Sequence, residues 1–427
     1  MEARPSKTLD DPTPVVPRPP WVLLDRLGHR EDQADADAAT VASSRTSTGT
    51  VISVSLRFDA PPATSRLYLR WPSRPSKEDS SFAYPRVVAA HDDSVLLQLT
   101  VSPRSIDYFV YKARGARPPS LSLLPRSALT RKAIGILRRR GEGAFAVAEL
   151  RTAGGDGTPV AFDLCVLLSP GPGPSESDKW EVRRVKVLDG RGKDLALQCW
   201  ETDAVVPVGG RFLCWVDYYR GMLVGRVFAG GGSALTYVPL PVDTPWAKPD
   251  HGQECPEASR SVCVTAGDTV KFVSVDRGLV FVFTVTIWTL GKARGGGMEW
   301  EKDGEFRAAE LWAFSGYERL PRVPPAYPVV SIVDPDALCF MVSEGRHGHA
   351  GVEAGGDDTV WLVEVDTRRR AVRSVSRYSK EETRNMSRRA FHDDEEEDDN
   401  TDGLASVSMF HGHAFLPSEI TTYVHEQ

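Results

Sequence analysis

Two His-Gly-His pairs, His347/His349 and His411/His413, have a spacing that could do chemistry. In a strand, residues two apart face the same side, so each pair could share a metal ion. The first pair lies in a Gly-rich run and the second at an expected hairpin turn. Neither has a cysteine or carboxylate at a fixed ligand spacing, so loop histidines are expected and no metal site is assigned. The basic residues Arg131, Lys132, Arg138, Arg139 and Arg140 could meet phosphate, but no aromatic residues are interleaved to stack bases, and a solvated helix face is expected. Glycine clusters at 141–143, 154–157 and 230–232 are not followed by the Lys-Ser/Thr of a phosphate-binding loop. HExxH, GxSxG and kinase signatures are absent. We therefore assign no catalytic, cofactor-binding or metal residues from sequence.

Charge narrows the partners. The chain carries a formal charge of −6, and residues 393–402 alone hold eight acids and no base, leaving +2 for the remainder. A nearly neutral body lacks the electrostatic footprint of a nucleic-acid binder. The acidic run could attract a basic partner, although like-charge blocks are commonly solubilising loops. Six cysteines, none in a CxxC pair, suit a reducing compartment, so a cytoplasmic or nuclear location is expected. The first twenty residues contain acids and no apolar stretch, unlike a secretory signal. The most apolar run, GLVFVFTVTIWTL at 278–290, is shorter than the roughly 20 residues of a membrane helix and reads as a buried strand or hairpin.

Short apolar runs bounded by Gly, Pro, Asp or Ser recur from Trp21 onward, which is the pattern of strands. Three hairpins share a form: VAAHDDSVLLQL at 88–99, CVTAGDTVKFVS at 263–274 and SIVDPDALCFMV at 331–342. Asp93, Asp268 and Asp336 are placed in their turns, where a carboxylate bonds nearby amides. FLCWVDYYRGMLVGRVF at 212–228 reads as a fourth, looser copy, and TVWLVEVDTRRRAVRSVSRY at 359–378 as a further hairpin. Asp217 and Asp268 are 51 residues apart and Asp268 and Asp336 are 68 apart, room for one four-stranded sheet plus loops. The best helix candidate is SALTRKAIGILRRR at 127–140.

An all-β, irregular β-propeller-like single domain of short four-stranded antiparallel sheets with few short helices is therefore expected. Two stacked sandwiches are the competing architecture. The expected division is a Pro-rich tail at 1–20, the propeller-like body at 21–379, a charged acidic insertion at 380–403, and closing strands at 404–427 that return to the same blade as WVLLDR (21–26). Tryptophans such as Trp200, Trp215, Trp288, Trp312 and Trp361 are expected between blades, or as a stacking ring at a propeller mouth.

The chain resembles a plant family, abundant in grasses, known as domain of unknown function 1618. The resemblance rests on WVLLDR at 21–26, TSTGTVISVSLRFDAPPATSRLYL at 46–69, DYFVYKA at 107–113, WVDYYRGMLVGRVF from 215 and MEWEKDGEFRAAELW at 298–312. It implies a propeller-like fold similar to F-box-associated domains and implies no activity. LPSEI at 416–420 looks like the start of an F-box but is followed by only seven residues, so a ubiquitin-ligase adaptor role is not expected. The functional expectation is a non-catalytic protein–protein interaction scaffold that presents loops at one rim, from 169–178, 239–258, 291–304 and 345–357. Its partner would be a protein and not a membrane, and nucleic acid is disfavoured. The alternative is a hydrolase with its active site in the channel.

Overall fold

The computed structural model describes residues 17–30, 37–72, 85–102, 105–114, 117–126, 133–139, 143–153, 161–169, 179–188, 197–228, 234–242, 256–278, 282–292, 297–343, 359–378 and 415–424. Most are strand. The apolar runs alternate where one sheet face meets solvent and are buried throughout where both faces are covered. Ala371–Tyr378 shows the first pattern and Ala337–Ser343 the second.

The strands form six radial blades. Blade one contains β1 (Val22–Leu24), β2 (His29–Arg30), β3 (Ala42–Arg45), β4 (Val51–Arg57) and β5 (Thr64–Arg70). Blade two contains β6 (Arg86–His91), β7 (Ser94–Ser102), β8 (Ser105–Arg114) and β9 (Arg117–Leu123). Blade three contains β10 (Ile134–Arg138), β11 (Phe145–Ala153), β12 (Ala161–Ser169) and β13 (Trp180–Leu188). Blade four contains β14 (Ala204–Val208), β15 (Phe212–Asp217), β16 (Gly221–Gly225) and β17 (Ala234–Pro239). Blade five contains β18 (Arg260–Thr265), β19 (Thr269–Arg277), β20 (Phe283–Lys292) and β21 (Met298–Arg307). Blade six contains β22 (Ala326–Val330), β23 (Ala337–Ser343), β24 (Val360–Asp366) and β25 (Ala371–Tyr378). A last strand, β26 (Leu416–Ser418), returns to blade one.

The inner strands β6, β10, β14, β18 and β22 stand side by side in that order, and β26 lies against β6. The ring closes where Tyr327 of β22 meets Phe415, ring centroids 6.5 Å apart. Blade one is built from both ends of the described chain. Val22, Leu23 and Leu24 pair antiparallel with Ser418, Pro417 and Leu416, while Leu23 and Leu24 pair parallel with Thr64 and Ser65. The buried Asp25 carboxylate accepts from the Leu27 amide and from the Tyr378 hydroxyl, which ties blade one to the last strand of blade six. Strict four-stranded antiparallel order fails in two places. Blade one is mixed, and β13 pairs parallel with β17 through Lys186–Ala234, Val187–Leu235 and Leu188–Thr236, fusing blades three and four into one eight-stranded sheet.

Several expectations change. The helix candidate at 127–140 is not helical where described: Ile134–Arg138 is the inner strand of blade three. Gly135 is there because a Cβ would stand 2.5 Å from Val205 Cγ1 on the neighbouring inner strand. Gly135→Ala should cost about 1–3 kcal/mol by overpacking, measured by urea unfolding; an unchanged midpoint would show that the two inner strands are not in this contact. The hairpin at 212–228 joins the second and third strands of blade four, whereas the other three Asp hairpins join first and second strands. Its true counterpart turns through Gly209 and Gly210, with φ of 59° and 60°. Residues 291–304 are mainly strand, not loop: β20 runs to Lys292 and β21 begins at Met298. Of the tail expected at 1–20, residues 1–16 lie outside the described residues, as do the insertion at 380–403 and both His-Gly-His pairs, whereas Arg18 pairs with Asp37 at 2.6 Å.

Candidate functional site

The inner strands enclose a cavity of about 190 Å³ along the ring axis. All inner strands whose ends can be compared run the same way, so their first residues share one mouth and their last residues the other. Arg26 stands at the first mouth, since its carbonyl accepts from Val87 at the start of β6. Arg260, the first residue of β18, stands there as well, with Glu257 and Tyr218. The opposite mouth carries His91 and Asp92 at the end of β6, Asp268 after β18 and Glu419 after β26. Between them the wall is small and apolar: Ala90, Val206, Val264, Pro328, Val329 and Leu416. A six-residue strand at 3.3 Å per residue separates the mouths by roughly 17 Å.

Local structure fixes each polar group. Arg260 donates through Nη1 to the Tyr218 carbonyl at 2.7 Å and lies over the Tyr219 ring, 5.5 Å from its centroid. The Arg26 Nε is buried and has no hydrogen-bond partner among the described residues. Burial, with the Glu257 charge adding to it, raises the Tyr218 hydroxyl well above its ordinary pKa, so it stays neutral. His91 Nδ1 accepts from the Arg138 amide at 2.8 Å. In the neutral ring the proton is then on Nε2, 3.9 Å from Asp92 Oδ1, so that ring has no lone pair left for a general base. Burial pushes the Cys263 thiol up, and hydrogen bonding with Ser261 and the Val330 amide acts the other way. A raised thiol is a poor nucleophile. The cavity therefore offers charge recognition at its ends and apolar contact at its waist, with no nucleophile and base brought together.

A second surface lies on blade one. Leu24 joins the core shared with blade two, and Leu23 joins the core shared with blades five and six. Residues on Leu23's face therefore look towards blade six. By register that face carries Thr64, Arg66, Tyr68 and Arg70, opposed by Arg57, Ser55 and Ser53, and then Ser43 and Arg45. The strands β3, β4 and β5 contain no carboxylate, and the four arginines of the face are opposed by two acids at its ends, the buried Asp25, two residues beyond Leu23, and Asp59. Arg45, Arg57 and Arg70 are exposed. Arg57 approaches Asp59, beyond the strand, at 3.9 Å, and Arg45 donates to the Gly49 carbonyl.

The residues singled out from sequence are placed elsewhere. Arg138 is committed to Asp93 at 2.6 Å, and Arg139 lies over Phe228; Arg131, Lys132 and Arg140 are outside the described residues. No tryptophan lines the cavity among the described residues. Trp215 is buried between blades three and four, Trp200 sits edge-on between Phe162 and Tyr237, and Trp288 packs on Phe272. Of the four candidate loops, most residues of three are outside the described set. The described strands flanking 169–178 and 291–304 end at one face of the ring, and those flanking 239–258 and 345–357 end at the other. Arg26 and Arg260 went unremarked in the sequence. The usable signal was their position, Arg26 immediately after WVLLD and Arg260 three residues before Cys263 of the CVTAGD hairpin.

No group of three or more potential metal ligands exists among the described residues. No helix among them is long and apolar enough to cross a membrane. No curated protein matches the chain. Among solved structures, the crystal structure of an ancestral GH74 enzyme aligns over 85% of this chain at 11% identity and a TM-score of 0.32. The chain spans about half, 46%, of that enzyme's length. Residues 215–339, from the second strand of blade four to the second strand of blade six, match the family described as "Protein of unknown function (DUF1618)".

Proposed function

We propose that the protein is a non-catalytic interaction scaffold whose arginine face on blade one docks an acidic polypeptide segment. The carrying observation is an excess of base on one sheet face, four arginines against Asp25 and Asp59, with Arg45, Arg57 and Arg70 exposed. Such a face favours an anionic partner and steers its approach. A polypeptide suits it better than single-stranded nucleic acid, because the one aromatic side chain on the face, Tyr68, already packs against His29 at 5.5 Å. The family resemblance to F-box-associated domains and a cytoplasmic or nuclear location are parts of the same proposal. The hydrolase alternative needs an acid and a base converging on one point; one mouth does gather His91, Asp92, Asp268 and Glu419, but the His91 Nδ1 lone pair is taken by the Arg138 amide, which disfavours that reading.

The test uses the full chain and a fluorescein-labelled glutamate-rich peptide, with a charge-matched oligothymidylate as the competitor class. The peptide is expected to bind in a salt-dependent way, and Arg57→Glu with Arg70→Glu to weaken it about tenfold at unchanged Tm. Tighter binding of the oligonucleotide, or peptide binding indifferent to the double reversal, would overturn the proposal.

A further inference from the structure

We propose that the channel is a binding site for a small amphipathic carboxylate, its anionic head between Arg26 and Arg260 and its apolar body in the waist. The inference does not depend on the docking role of blade one.

Three observations converge. First, Arg26 lines the cavity at the same mouth as Arg260, so two guanidinium groups stand at one end of it. Paired guanidinium groups are suited to bidentate recognition of a carboxylate. Second, Arg260 is held in place before any ligand arrives, by the Tyr218 carbonyl and the Tyr219 ring, so little side-chain freedom is lost on binding. Third, two arginines and one glutamate at this mouth sum to a single positive charge, which matches a monoanion better than a phosphate dianion. The apolar waist gives the remainder of the ligand its contact area. At the far mouth Asp92, Asp268 and Glu419 repel an anion, which fixes the ligand's direction. Two sources share this chemistry: a free small acid, or the C-terminal carboxylate of a polypeptide with apolar final residues.

Calorimetric titration of the full chain separates them. One arm uses octanoate, with octylamine as its control. The other uses a short peptide ending Leu-Val as the free acid, with its C-terminal amide as control. A free acid of either arm is expected to bind, and the tighter arm identifies the source. Arg26→Gln should weaken binding at least tenfold, from loss of a charge-assisted hydrogen bond. Arg260→Gln should weaken it as well, providing a second reading if the first variant fails to fold. Val206→Phe, which fills the waist, should abolish binding, whereas Arg57→Glu on blade one should leave it unchanged. Binding of octylamine or the amide as strong as that of the acids would overturn the proposal. So would acid binding indifferent to the arginine and waist variants, or no acid binding at millimolar concentration. If blade one fails to bind acidic peptide while octanoate still binds in this way, only the docking proposal falls.

Discussion

A chain lacking residues 415–427 should fail to unfold cooperatively. Removal of β26 leaves Val22–Leu24 without its antiparallel partner and takes away the inner strand of blade one. It also strips the cores of Phe415, Ile420 and Val424, all buried, and removes the Val424 carbonyl that accepts from Arg18 at 2.7 Å. Burying side chains of this kind stabilises by about 1.5–3 kcal/mol each. Three of them together approach the roughly 5–15 kcal/mol that a folded domain has in total. An opened ring would also expose the edges of β1 and β22 to intermolecular pairing. The expected result is aggregation, or a broad non-cooperative urea transition. A soluble truncated chain with the parent's sharp transition would contradict closure.

Trp215→Ala should destabilise by about 3–5 kcal/mol, the range for removing a large core side chain. Trp215 is fully buried, and its Nε1 donates to the Ala133 carbonyl at 2.9 Å, so it joins blade four to the strand that begins blade three. Gly225 accommodates it, since a Cβ there would lie 3.2 Å from the indole. Truncation would leave both a cavity and an unsatisfied carbonyl. Urea unfolding at unchanged slope measures the loss. A loss below about 1 kcal/mol would mean that the contact between these blades is not carried by this side chain.

The β content and the hairpins were legible because alternation and turn chemistry are local. GLVFVFTVTIWTL did become strand from Phe283 onward, and Asp268 does take the left-handed conformation, φ 61°, that a tight turn needs. Asp93 and Asp336 also lie in their turns, although the neighbouring aspartates share the work. Asp92, not Asp93, has positive φ, and in the blade-six hairpin Asp334 is the residue whose carboxylate accepts the Asp336 amide. The misread helix at 127–140 has a plain cause. IGIL suits either element, and what decides for strand is Val205, some seventy residues away, pressing on Gly135. The blade number stayed open because the hairpin at 212–228 looks like its neighbours yet occupies a different position in its blade. The arginine face and the polarised channel were hidden for the same reason. They are made by register, Arg57 beside Arg66 and Arg26 beside the start of β6, which no single stretch of sequence displays.

Native-state hydrogen exchange on the Phe415–Val424 peptide tests ring closure most directly. If β26 is the inner strand that seals blade one, its amides should open only with global unfolding, and their exchange free energy should equal that from urea denaturation. Exchange of this segment well below the global value, with β6 and β18 remaining protected, would show that the last strand is an appendage and that the six blades do not form a closed ring.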